Sequence, residues 1–176
     1  MITDRSTSLS PQEIAACLRA TSTILRAELA ALPLLVVSWH PAPGEWCVKQ
    51  VLGHLIESEQ RGFAGRIRTI LSSDNPQLAA WDQIALAHER HDCDRDLADL
   101  SGEFGKLREE SVALVAGLRG SDLDRGGYHS TIGYVRVGDL LHEWVYHEHN
   151  HIRQMLANVQ DFVWPYLGNT QRFYQY

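Results

Sequence analysis

Three histidines stand within five residues in the segment YHEHNHIRQ, Tyr146 to Gln154. If that segment is helical, His147 and His151 lie one turn apart on one face, and two imidazoles so placed make a bidentate clamp for a metal ion. At about 100° per residue they fall beside Leu140 and Trp144, on the flank of the apolar stripe, while His142 and His149 fall on the far side. The same spacing suits two partly buried histidines bonded to backbone or carboxylate. A clamp also needs a third ligand from another element. His54 is the one histidine of the segment Val48 to Leu71, and it shares a face with Cys47, Ser58, Gly62 and Gly65. Such a small-residue face permits close helix approach or leaves room for a cofactor, although His54 stands off the centre of its own apolar stripe.

Other donors are available. Cys47 could supply a thiolate or pack as a buried hydrophobe. His88, His91 and Cys93 lie within six residues of one another and could form a loop site, and His40 and His129 flank breaker segments. For these a solvated or locally bonded side chain is the simpler role. Glu148 falls near the centre of the apolar stripe of the helix that carries His147 and His151, where an unpaired carboxylate is costly, so it requires a partner. That partner could be the second N–H of a metal-bound imidazole, or an Arg or Trp in a purely structural bond. Glu57, one turn from His54, could serve in the same way or as a base. Gln154, three residues past His151, is a further polar group for the same cavity.

Four helices must position these groups. Ser10-Pro11-Gln12-Glu13 has an N-cap serine, a proline at the first helical position and a glutamate that closes a capping box, and the apolar spacing behind it runs to about Leu32. Pro33 ends or kinks this helix, and HPAPGEW (His40 to Trp46) is a breaker-rich connector. A second helix spans about Val48 to Leu71 and stops at SSDNP. Residues 77–93 are ambiguous, with a short helix near LAAWDQIALAHE. Asp92 or Asp94 is expected to cap a third helix, whose Leu97, Leu100, Phe104, Leu107, Ser111, Leu114 and Leu118 form a narrow seam. The fourth helix runs from about Val137 to Val159. HSTIGYVRV is the one β-like piece, and FVWPYLGNTQRFYQY is an aromatic tail that must dock or mediate association. The expectation is one all-α domain over residues 1–176, an antiparallel four-helix bundle with breaker-rich loops and a docked C-terminal tail.

Composition narrows the function. The chain has 176 residues, 44% apolar and 22% charged, which is ordinary for a globular protein. Its net charge of −6 offers no basic surplus for phosphates, so nucleic acid is not an expected partner. Three widely spaced cysteines with no C-x-x-C pair imply a reducing compartment, and no apolar run approaches a membrane span. The polar N-terminus reads as neither a signal nor a transit peptide, so the expected location is the cytoplasm.

Two segments together resemble the DinB-like superfamily of bacterial four-helix bundles. PAPGEWCVKQVLGHLIESE (Pro41 to Glu59) is similar to that family's Trp-containing loop, helix and first histidine, and HEHNHIRQ to its H-x-x-x-H-x-x-Q motif. The resemblance covers most of the chain. It implies metal ligands at His54, His147 and His151, with Glu148 standing where the family has an acidic residue, often aspartate. It implies a divalent ion (zinc, nickel or iron) and frequently a homodimer, but no single reaction. Some relatives are transferases or isomerases that use a low-molecular-weight thiol. The expected function is therefore metal-dependent chemistry on a small molecule, with thiol transfer first. A metal-dependent hydrolase, a non-catalytic metal- or ligand-binding dimer and a metal-free interaction module are the alternatives.

Overall fold

The computed structural model describes residues 8–174. The polar segment read above as lacking a targeting signal lies largely in residues 1–7, outside the described residues, as do the last two residues of the aromatic tail.

Helix α1 spans Pro11–Ala31, and its start is the expected capping box: Ser10 Oγ accepts from the Glu13 amide while Glu13 Oε2 accepts from the Ser10 amide at 2.8 Å. A single turn, α2 (Leu34–Val37), leads to the breaker loop. The second long helix is continuous but not uniform. It comprises α3 (Val48–Glu57), a π-helical turn at Ser58–Phe63 and α4 (Ala64–Ser72). The wide turn brings the Gln60 carbonyl to 2.2 Å from where a Cβ on residue 65 would lie, so Gly65 is what lets the turn form.

Residues 73–96 are a crossover, not a turn. They hold strand β1 (Gln77–Leu78), helix α5 (Gln83–Arg90) and a 3-10 turn at Asp92–Asp94. The third long helix, α6, spans Leu97–Ala116 and is capped by Asp96, whose Oδ1 accepts from the Ala98 and Asp99 amides. Asp92 is not the cap, nor is Asp94. Asp92 is buried between Arg90 and Arg95, which bind its two oxygens. The β-like segment supplies the turn and the second strand, β3 (Gly133–Arg136), of a hairpin whose first strand, β2 (Gly126–His129), begins upstream in residues expected to be a breaker, and β1 is added parallel to β2. Helix α7 runs Val137–Val163, one turn beyond the expected end.

The four long helices form the expected bundle. Helix α1 packs on α6 and α7, and α3 packs on the same two, which places α1 and α3 across the diagonal. Two apolar clusters show the directions. One joins Ile14, Leu18, Ile67, Val115 and Leu140; the other joins Leu25, Leu29, Val48, Leu100 and Met155. Helices α3 and α6 therefore run the same way, against α1 and α7, and the crossover is the connection this up-down-down-up order requires. The antiparallel neighbours are α1 with α6 and α3 with α7.

Between the clusters lies a polar layer drawn from all four helices. Arg108 donates to Glu59 Oε1 through Nε and Nη2, to Glu148 Oε1 at 2.6 Å, and to Thr21 and the Leu18 carbonyl. All four side chains are buried. The third-helix seam thus differs from the expected one, because Arg108, Val112 and Val115 are in it and Leu107 and Leu114 are at its margin. The aromatic tail continues as 3-10 turns at Trp164–Tyr166 and Gly168–Tyr174. Phe162 meets Trp39 edge-on, while Tyr166, Phe173 and Tyr174 stay exposed. Among the described residues no helix is long and apolar enough to cross a membrane.

Candidate metal centre

The antiparallel packing of α3 on α7 brings His54 against both histidines of the clamp. Ring centroids of His54 lie 5.0 Å from His147 and 4.5 Å from His151, and His147 lies 4.5 Å from His151. The two Nε2 atoms of His54 and His147 are 3.0 Å apart, and one donor nitrogen from each ring falls within 4.8 Å of the others. Nitrogens bound to one ion at about 2.0–2.1 Å stand about 3 Å apart, so this pair is already at ligand spacing.

The surroundings keep the rings neutral. Burial, then the facing His151 and His147, push the His54 pKa down to about 3. Burial and His151 bring His147 to about 4, and burial lowers His151 against the opposing bond to Gln154. That bond joins His151 Nδ1 to Gln154 Oε1 at 2.8 Å. The carbonyl oxygen can only accept, so Nδ1 carries the proton and Nε2 is left as the ligand atom. His147 Nδ1 is buried with no hydrogen-bond partner among the described residues. Trp46 packs 5.2 Å from His54 and Phe63 meets His147 edge-on at 5.3 Å, walling the site on two sides. A cavity of about 770 Å³ opens beside it, lined by His151, Gln154 and Trp46 and by His88 and His91 of the crossover.

Three neutral, desolvated imidazoles whose protonated forms would repel one another, with donor nitrogens gathered within 4.8 Å, fit a divalent cation, which replaces the protons they exclude. Without metal they are a liability. The unfolded chain takes up protons near pH 6.5, whereas the folded chain does so only near 4 and 3. Stability of metal-free protein should therefore fall as pH drops from about 6.5 towards 4, by roughly 1.4 kcal/mol per pH unit for each such histidine. Urea unfolding of chelator-treated protein at pH 7.5 and 5.0 checks this, and equal stability at both would contradict it.

His142 and His149 are exposed, each held at 2.7 Å by a carbonyl four residues back, and they take no part. The carboxylates do not meet the imidazoles. Glu57 binds Arg61 and Arg90 through its two oxygens, and Glu148 faces Arg108 on the opposite flank of α7, its pKa raised by burial against the pull of that arginine. The structural bond to Arg is the role realised. Cys47 joins neither clamp histidine; it stands with His40 and Cys93 in a separate group. Gly53 explains how the crossover reaches the site, since a Cβ there would fall 1.8 Å from the Asp92 carboxylate that anchors it.

The sequence profile of the DinB superfamily matches residues 4–155. The chain belongs to the DinB superfamily. No curated protein matches it in sequence. Among solved structures it is similar to YfiT from Bacillus subtilis, described as a probable metal-dependent hydrolase with an unusual four-helix bundle topology. The two are 21% identical, with a TM-score of 0.80 over 89% of this chain and 91% of that one. At that identity the likeness concerns the fold alone.

Proposed function

We propose that this member of the DinB superfamily is a divalent-metal enzyme acting on small molecules, with the ion held by His54, His147 and His151 and open towards the cavity. Three imidazoles with no fourth protein donor in their group, among the described residues, support an open site over the four-ligand shell of a structural zinc. Imidazole nitrogen suits zinc, nickel or iron. A bound ion supplies Lewis acidity, lowering the pKa of a coordinated water or thiol and polarising a carbonyl. The chain's own residues orient and shield: Gln154 fixes the His151 tautomer, and Trp46 and Phe63 exclude water from two sides.

For the reaction we infer S-transfer with a low-molecular-weight thiol. The observation that carries this is the commitment of Glu57 and Glu148 to arginines. A metal-bound water, with a pKa near 7, is only partly ionised at neutral pH and gains from a positioned general base, whereas a bound thiol is deprotonated outright and needs none; the carboxylates that could serve as that base, Glu57 and Glu148, are both engaged. None of the cysteines is suited to be the thiol that turns over, since Cys17 lies on α1 and Cys47 and Cys93 lie in their own group. Calorimetric titration of glutathione, bacillithiol and mycothiol into metal-loaded and metal-free protein tests the reading. Binding of one of them to the loaded form alone is expected, and equal affinity for both forms, or none for the loaded one, would overturn it.

Metal-dependent hydrolysis is the second reading, favoured by the description of YfiT. The exposed aromatic tail supports a homodimer, and the three free cysteines support a reducing, cytoplasmic setting for one functional unit over residues 1–176.

A further inference from the structure

We propose that His40, Cys47 and Cys93 form a second metal site, distinct from the three-histidine site, that takes a thiophilic divalent cation such as Zn²⁺. The three side chains come from separate elements: the breaker loop, the N-cap position of α3, and the 3-10 turn of the crossover. Their donor atoms nonetheless lie within 4.8 Å of one another. His40 Nε2 is 3.6 Å from Cys93 Sγ. Sulfur and nitrogen ligands at about 2.3 and 2.0 Å from a tetrahedral ion stand about 3.5 Å apart, so this pair is already at that spacing.

The histidine is set for the role. His40 Nδ1 donates to the Glu45 carbonyl at 2.7 Å, which fixes the proton on Nδ1 and turns the Nε2 lone pair towards the sulfur. This is the tautomer that outer hydrogen bonds impose on metal-bound imidazoles. Cys47 is fully buried at the N-cap position of α3, so its sulfur is held in place against the crossover. Lys49, itself buried, donates to the carbonyls of Cys93 and Arg95 and so fixes the turn that carries the Cys93 sulfur. A disulfide would consume both sulfurs and leave His40 Nε2 without its partner; two thiolates and an imidazole around a divalent cation use all three donors and balance the charge. The two thiol protons pass to solvent on binding.

The site sits in the wall of the same cavity, since His40 and Cys93 line it together with His151 and Gln154. An ion there clips the loop carrying Trp46 to the crossover and so holds the ring that packs on His54.

Cobalt titration of untagged, reduced, chelator-treated protein tests the assignment independently of the three-histidine site. The double variant His54→Ala, His147→Ala should still bind one equivalent of Co²⁺ and show the near-ultraviolet sulfur-to-cobalt charge-transfer band, which added Zn²⁺ abolishes. Cys93→Ser and Cys47→Ser should each lose that band and keep the ion of the three-histidine site. His40 is exposed, so His40→Ala, which leaves the core intact, should weaken cobalt at this site alone. Cobalt bound to the double variant without the band, no cobalt bound at all, or a Cys47–Cys93 disulfide in protein purified with zinc under reducing conditions would overturn the proposal.

Discussion

His54→Ala, His147→Ala and His151→Ala will each empty the three-histidine site, lowering its affinity for a divalent ion by more than the roughly 10- to 100-fold typical of losing an outer-shell partner. His142→Ala and His149→Ala will leave that affinity unchanged. The contrast follows from geometry: three rings converge on one point between α3 and α7, while the other two are exposed and bond their own helix four residues back. Inductively coupled plasma analysis of untagged variants, with isothermal titration of Zn²⁺ and Ni²⁺, measures the difference. If the two outward histidines strip metal as effectively as the inward ones, the assignment fails.

Arg108→Ala should be the most destabilising single change in the bundle. Arg108 is the cation between two buried carboxylates, and its removal leaves Glu59 and Glu148 facing each other without compensation. Breaking a buried pair in this way costs about 3–5 kcal/mol. For a domain of this size that is a fall in Tm of roughly 6–20 °C. Arg108→Met with both carboxylates changed to glutamine removes the charges together and should recover much of the loss. Thermal melts of the metal-loaded proteins read both outcomes, and a fall in Tm of under about 3 °C for Arg108→Ala would show that the layer is not held by charge.

That layer also marks where sequence reading stopped. Helix α1 was legible because its signals are local: a capping box, a proline at the start and an unbroken 3-4 spacing all act within a few residues of each other. Glu148 was legible as an anomaly, a carboxylate in an apolar stripe. Its partner was not, because Arg108 is forty residues away and is itself disguised inside the seam of α6. The same distance effect hid the crossover. Asp92 resembles a helix cap in isolation, and only the arginines on either side and the space left by Gly53 make it an anchor.

The ligand set divides along the same line. The His147–His151 clamp follows from i, i+4 spacing alone, whereas His54 rested on family resemblance, since its helical wheel placed it off centre. The π turn at Ser58–Phe63 accounts for that: it shifts the phase midway, so a single wheel over Val48 to Leu71 averages two different faces. Burial of α3 on nearly every side, beneath the crossover, blurs the stripe further. The group of His40, Cys47 and Cys93 gave no local signal, because its members meet only once the breaker loop and the crossover close over α3.

The most direct test of the central claim is anomalous diffraction at the metal edge, on crystals of untagged protein shown by analysis to carry metal. A peak within coordinating distance of one nitrogen from each of His54, His147 and His151, with its remaining side towards the cavity lined by Gln154, is the predicted result. Metal present in the crystal with no peak among those three rings would contradict it.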